Sequence, residues 1–225
     1  MVKKACEKND DPTAADALQK LCLSYWYPLY AWARRSGWKE EDAQDLIQSF
    51  FGQLLEKHYL ERADPCKGKL RSFLLTCLKR FAGDERDKAR AAKRDSRKTV
   101  SLDFEWAEGR YHGHEGESES ADVLYDRRWA KTLLHYTLQM LREEMQSSRK
   151  EGSFELLQPF LSFVPEEEES YSDFAKRENI SVSSAKSRVF RFRKRYRELL
   201  LEQISITLGP ELEAKDELME LIVLL

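Results

Sequence analysis

Six side chains between positions 183 and 194 have the types that act on a nucleic-acid backbone and groove. Ser183, Lys186, Ser187, Phe190, Arg191 and Lys194 recur at intervals of three and four, which places them on one side of a helix. Lys and Arg neutralise phosphates, Arg forks onto guanine, Ser donates to phosphate, and an aromatic ring can touch a thymine methyl. The opposite side, Val182, Ala185, Val189, Phe192, Tyr196 and Leu199, reads as a buried stripe. Just upstream, a short helix with Phe174 and Ala175 and a turn at Glu178 to Ser181 complete a helix-turn-helix pattern, with Ser181 or Ser183 as the cap of the long helix. That pattern implies contact with duplex DNA. A solvated basic helix packed in a bundle is the plain alternative.

The elements that must carry this chemistry are all helical in period, and 9 Gly and 6 Pro are too few for an architecture of many short hairpins, so the expected class is all-α. Thr13 with Asp16 resembles a capping box for a helix running toward YWYPLYAWARR, which Pro28 is expected to kink or restart and Gly37 to stop. In KEEDAQDLIQSFFGQLLEK, Ala43, Leu46, Ile47, Phe50, Phe51, Leu54 and Leu55 form an apolar face, opposite Asp45, Gln48, Ser49, Gln53 and Glu56. RADPCKGK reads as a loop, after which Leu70, Phe73, Leu74, Cys77, Leu78 and Phe81 give a second stripe that continues into the basic DERDKARAAKRD. Further helices are expected through Trp129, Leu133, Leu134, Leu138 and Leu141, and around Phe154 to Phe163.

Charge is segregated although the 225-residue chain has a formal net charge of only -2. Residues 67–98 hold twelve Lys/Arg against four acids, residues 171–197 nine against two, and residues 101–125 seven acids against one Arg. Two basic blocks separated by an acidic one suit an anionic partner better than the average charge suggests. The acidic stretch, poor in apolar residues, reads as a linker. Apolar runs such as LIVLL are far too short to span a bilayer and the start MVKKACEKNDDP shows no secretory signal, so no membrane partner and a cytoplasmic location are expected.

Cys6, Cys22, Cys66 and Cys77 form no C-x-x-C pair and read as reduced thiols. His112 and His114 in HGH lie among acidic and small residues without a companion ligand pattern, which favours a loop over a metal site. Asp84, Glu85 and Asp87 are interleaved with Arg86 and Lys88 at helical spacing, as intrahelical ion pairs are, and not as a metal-dependent nuclease site. No nucleophile with its base and no phosphate-binding glycine loop occurs. An enzyme is therefore not expected, nor any catalytic residue, metal ligand or cofactor.

Taken together, the motifs resemble the extracytoplasmic-function group of bacterial sigma factors. DAQDLIQSFFGQLLEK is similar to the group's polymerase-clamp-binding helix, LRSFLLTCLKRFAGDERDKAR to its promoter-melting helix, and YSDFAKRENISVSSAKSRVFRFRKRYREL to its C-terminal helix-turn-helix. WYPLYAW together with DLIQSFFGQLLEK resembles most the branch abundant in planctomycetes and their relatives. Two departures stand out: Arg80 where the common pattern has Asn, and Arg86-Asp87 in place of a Leu-Arg pair.

The resemblance implies a region 2-like domain over 1–98, an acidic flexible linker over 99–122, a region 4-like helix-turn-helix domain over 123–202 and an amphipathic extension over 203–225. Its implied partners are core RNA polymerase and promoter DNA, both duplex and melted single strand. Asp45, Gln48 and Gln53 would meet the polymerase, which suits their hydrogen-bonding side chains; a plain surface acid is the alternative for Asp45. Lys67, Lys69, Arg71, Lys79 and Arg80 would hold phosphates of the minus-ten element, where unstacked bases need a charged channel. Phe73 and Phe81 suit base stacking, but their helical spacing favours the core. Ser183, Lys186, Ser187, Phe190, Arg191 and Lys194 would read the upstream element. The linker's carboxylates suit mimicry of RNA phosphates as well as a solvated spacer, and the tail ending in DELMELIVLL suits an anti-sigma factor or the chain's own domain as its contact. A helix-turn-helix regulator that binds duplex DNA without polymerase is the alternative reading, although it leaves the clamp-like helix and the first basic block unexplained.

Overall fold

The computed structural model describes residues 12–56, 68–91, 103–112, 119–147, 151–161, 171–209 and 211–225. Among these every regular element is helical and none is a strand, as the periodicity predicts. The helices are α1 (Pro12–Arg35), α2 (Glu40–Glu56), α3 (Leu70–Ala91), α4 (Phe104–His112), α5 (Ala121–Ser147), α6 (Glu151–Leu157), α7 (Tyr171–Arg177), α8 (Val182–Thr207) and α9 (Ala214–Leu224), with a 3-10 turn, Gln158–Leu161, after α6. No helix among the described residues is long and apolar enough to cross a membrane. The chain divides into two compact units, one from residues 1–133 and 204–225, the other from 134–203, so the division falls within α5 and within α8.

In the first unit, α1 carries Pro28 without a break, so of the kink or restart expected there the restart does not occur. Proline removes one helical hydrogen bond, but Tyr25, Tyr27, Leu29, Tyr30, Ala31 and Ala33 around it are all buried, and this packing holds the helix together. Gly37 does stop it. With φ of +90°, it lets the Gly37 N–H reach the Arg34 carbonyl at 3.1 Å and the Trp38 N–H reach the Ala33 carbonyl at 3.2 Å, the paired bonds of a Schellman end. Glu40, Glu41 and Asp42 occupy the first turn of α2, where the helix dipole favours acids.

The apolar face of α2 is buried as expected at Ala43, Leu46, Ile47, Phe50, Phe51 and Leu54, and packs on α1. Phe50 meets Phe81 of α3 with ring centroids 5.9 Å apart. On α3, Leu70, Leu74, Leu78 and Phe81 are buried while Phe73 and Cys77 are half-buried. At the interleaved end of α3, Arg86 stacks 4.9 Å over Trp38 and donates to the Ser36 carbonyl at 2.9 Å.

Within 99–122, expected as a flexible linker, α4 packs against α1 with Phe104 and Ala107 buried. Its buried Glu108 accepts from the Tyr30 hydroxyl and from Arg34 Nε at 3.0 Å and Nη2 at 2.5 Å. Trp106 lies 5.1 Å edge-on to Tyr27. The low average apolar content of this stretch hides the Phe104, Ala107 and Tyr111 spacing that gives one face of a helix. His112 ends α4; Gly113, His114 and the rest of 113–118 lie outside the described residues.

Candidate nucleic-acid interface

In the second unit, α7 ends in the same backbone device as α1, with Asn179 in the role of Gly37. Asn179 has φ of +51°, its N–H donates to the Lys176 carbonyl at 3.2 Å and that of Ile180 to the Ala175 carbonyl at 3.0 Å. Asn is among the few residues with a side chain that tolerate this left-handed conformation. Ser181 then caps α8: the Ser184 N–H donates to Ser181 Oγ at 3.1 Å, satisfying one of the helix's unpaired first-turn donors. Ser183 lies inside the helix.

Beneath the turn, Phe174, Ala175, Ala185, Val189, Phe192 and Leu199 join Leu141, Phe154, Leu157 and Phe160 in one hydrophobic cluster. Phe154 meets Phe192 edge-on at 5.8 Å. The Tyr196 hydroxyl donates to the Leu134 carbonyl at 3.0 Å, and burial pushes it up to about 12, so it stays protonated at neutral pH. Val182, expected in the buried stripe, is 43% exposed. It is the first residue of α8 and precedes the turn at which the stripe meets the cluster.

All six residues of the opposite stripe, Ser183, Lys186, Ser187, Phe190, Arg191 and Lys194, are exposed. Phe190, 67% exposed, is a large ring held in solvent at the centre of that stripe. Three other basic residues of α8 differ from these by their bonds, while Arg197 is exposed further along the helix. Arg188 pairs with Glu178 at 2.7 Å, Arg193 Nε donates to the Phe160 carbonyl at 2.7 Å, and Arg195 is bound to Glu144 through Nε at 3.0 Å and Nη2 at 2.9 Å. Lys186 lies 5.9 Å over the Tyr171 ring and Lys194 lies 3.8 Å from Glu198, both loose enough for a ligand to replace. Three arginines thus fix the helix in its unit while Lys186, Arg191 and Lys194 present charge outward.

On α2 of the first unit, Asp45 is exposed, and Gln48 and Gln53, about one and two turns further along, are half-buried. Of the basic residues expected on phosphates, Lys67 lies outside the described residues, and Lys79 and Arg80 are exposed on α3. Lys79 pairs with Asp122 at 2.5 Å.

Lys69 and Arg71 stand in a different setting. Lys69 Nζ lies 2.5 Å from a Glu217 oxygen and also contacts Glu220. Arg71 places Nε 2.8 Å from the other Glu217 oxygen and Nη2 3.6 Å from Glu220, pairs with Asp126, and sits 5.4 Å over the Trp129 ring. Arg71 is 6% exposed and Glu217 2%. Burial alone would lower the pKa of both cations, but the facing carboxylates outweigh it and hold both above their ordinary values. Burial, with the nearby Glu217 and Asp122 charges, holds Asp126 above its ordinary value against the lowering by Arg71. Glu220, hydrogen-bonded by Lys69, is held below that range. The sequence reading found the bases and missed their acids; Glu213, Glu217 and Glu220 at helical spacing were the available signal.

No family model, no curated protein and no solved structure matches the chain. The resemblance set out above therefore rests on its motifs alone.

Proposed function

We propose that the chain is a sigma factor: it binds core RNA polymerase and directs promoter-specific transcription initiation. The observation that carries the reading is the stripe of α8, where Ser183, Lys186, Ser187, Phe190, Arg191 and Lys194 stand exposed on a helix seated by a short turn. A rigid helix offering Arg, Lys and an apolar ring is what major-groove readout requires. In this reading the stripe holds the upstream promoter element. Asp45, Gln48 and Gln53 on α2 engage the polymerase clamp, and Lys79 and Arg80, with Lys69 and Arg71, serve the melted minus-ten strand. Resemblance of three motifs in order along the chain is the second support.

The alternative, a duplex-binding regulator without polymerase contact, has one observation in its favour: Lys69 and Arg71 are already engaged by carboxylates. Promoter-dependent RNA synthesis with purified core polymerase on a template library separates the two. New, specific start sites that require the protein are expected. Specific duplex binding without new initiation, with a matched polymerase, would replace the sigma reading by the regulator.

A further inference from the structure

The C-terminal helix is attached to its unit in an unusual way. Among the described residues, α9 buries only Glu217 and Leu221, one of them an acid. Ala214, Leu218 and Leu224 are half-buried, and its polar holds include the Glu217 and Glu220 ion pairs and a bond from Arg127 Nε to the Leu224 carbonyl at 3.1 Å. Met219, Ile222 and Val223 face solvent. A helix with so little apolar contact is of the kind that opens locally before the rest of the fold.

What this helix covers is also specific. The two oxygens of Glu217 go to two different cations, Lys69 and Arg71, as the two non-bridging oxygens of a phosphodiester would. Glu220, 58% exposed, nonetheless leans onto the same pair. Both cations lie at the start of α3, where the chain's first basic block enters its helix.

We propose that α9 is a releasable acidic cover, in which Glu217 and Glu220 occupy on Lys69 and Arg71 the positions that phosphates of a single DNA strand take when the helix leaves. The proposal rests on the function above in taking a melted strand as the ligand. It makes strand binding at α3 conditional: the free chain holds the site shut with its own carboxylates, and whatever draws α9 away opens it.

The test is binding of a labelled single-stranded DNA oligonucleotide to the full chain, followed by anisotropy at fixed salt. Glu220→Gln, at an exposed position, should bind about threefold tighter, the scale of one surface ion pair, and Glu217→Gln/Glu220→Gln on the order of tenfold tighter. Adding Lys69→Ala to Glu220→Gln should remove the gain, and Asp216→Asn, also on α9, should give none. No gain with Glu220→Gln, a gain that survives Lys69→Ala, or an equal gain with Asp216→Asn would overturn the cover. If the double variant loses its helical circular dichroism, the Glu220→Gln and Lys69→Ala pair decides alone. Transcription with core polymerase keeps the two ideas apart. Initiation with no strand-binding gain in Glu220→Gln defeats the cover and leaves the sigma reading standing; a Lys69-dependent gain without initiation does the reverse.

Discussion

Arg188 holds its Nη1 2.7 Å from a Glu178 carboxylate oxygen, so the turn after α7 is tied to the second turn of the helix that follows it. Both side chains are partly exposed, and Arg188→Ala should cost less than about 1 kcal/mol of stability in urea denaturation. Its effect on duplex DNA affinity should be smaller than that of Arg191→Ala, because its guanidinium is engaged by Glu178. A loss as large as that of Arg191→Ala would place Arg188 on the DNA.

Asn179 tests the turn itself. With φ of +51°, Asn179→Ala should destabilise by about 1 kcal/mol, the cost of a left-handed residue with a Cβ, whereas Asn179→Gly should be neutral or slightly stabilising. Thermal denaturation of the two variants beside the parent chain checks the order; equal melting temperatures would mean that the turn relaxes to another conformation.

The proposed division of labour gives opposite signatures at two sites. Lys186→Ala or Arg191→Ala should weaken upstream-element binding by about 1–3 kcal/mol if base contact is lost, and leave polymerase association unchanged. Asp45→Arg should abolish polymerase association and leave duplex binding intact. Co-purification with polymerase and duplex anisotropy on the same preparations measure both; parallel losses at the two sites would defeat the division.

Glu220 sets a pH dependence. Its carboxyl is held down by Lys69, so its contribution to holding α9 is complete above the ordinary carboxylate pKa of about 4.3 and is lost as pH falls through the lowered value. The difference in strand affinity between the parent chain and Glu220→Gln should therefore persist at neutral pH and shrink as the solution is acidified below that range. A difference independent of pH would separate the effect from the Glu220 charge.

How far these features were legible in the sequence depends on the range of the interaction. The two faces of α8 follow from a period of three and four, and Ser183, Lys186, Ser187, Phe190, Arg191 and Lys194 emerge exposed because the stripe behind them is apolar. Val182 escapes the rule as the helix's first residue. Pro28 was read from its local penalty alone, while the buried aromatics on either side decide its helix. α4 was hidden by averaging acids over a stretch whose Phe104 and Ala107 are buried and whose Glu108 is an internal acceptor for Tyr30 and Arg34. Lys69 and Glu220 lie 151 positions apart, and no local pattern announces such a pair. Sequence reading therefore located the cations and left open whether the tail meets its own domain.

The backbone closure of the turn at Asn179 bears on how this interface can diversify. The bonds from Asn179 and Ile180 to α7 run between main-chain atoms, and the cap from Ser181 needs only its hydroxyl. The turn that leads into α8 is thus set by a left-handed residue and a cap, and the seating of the helix by its apolar stripe and three arginines, all separate from the outward stripe. Side chains at positions 183, 186, 187, 190, 191 and 194 are exposed and stand apart from these bonds, so under the proposed function the preferred target can change there while the turn keeps its geometry.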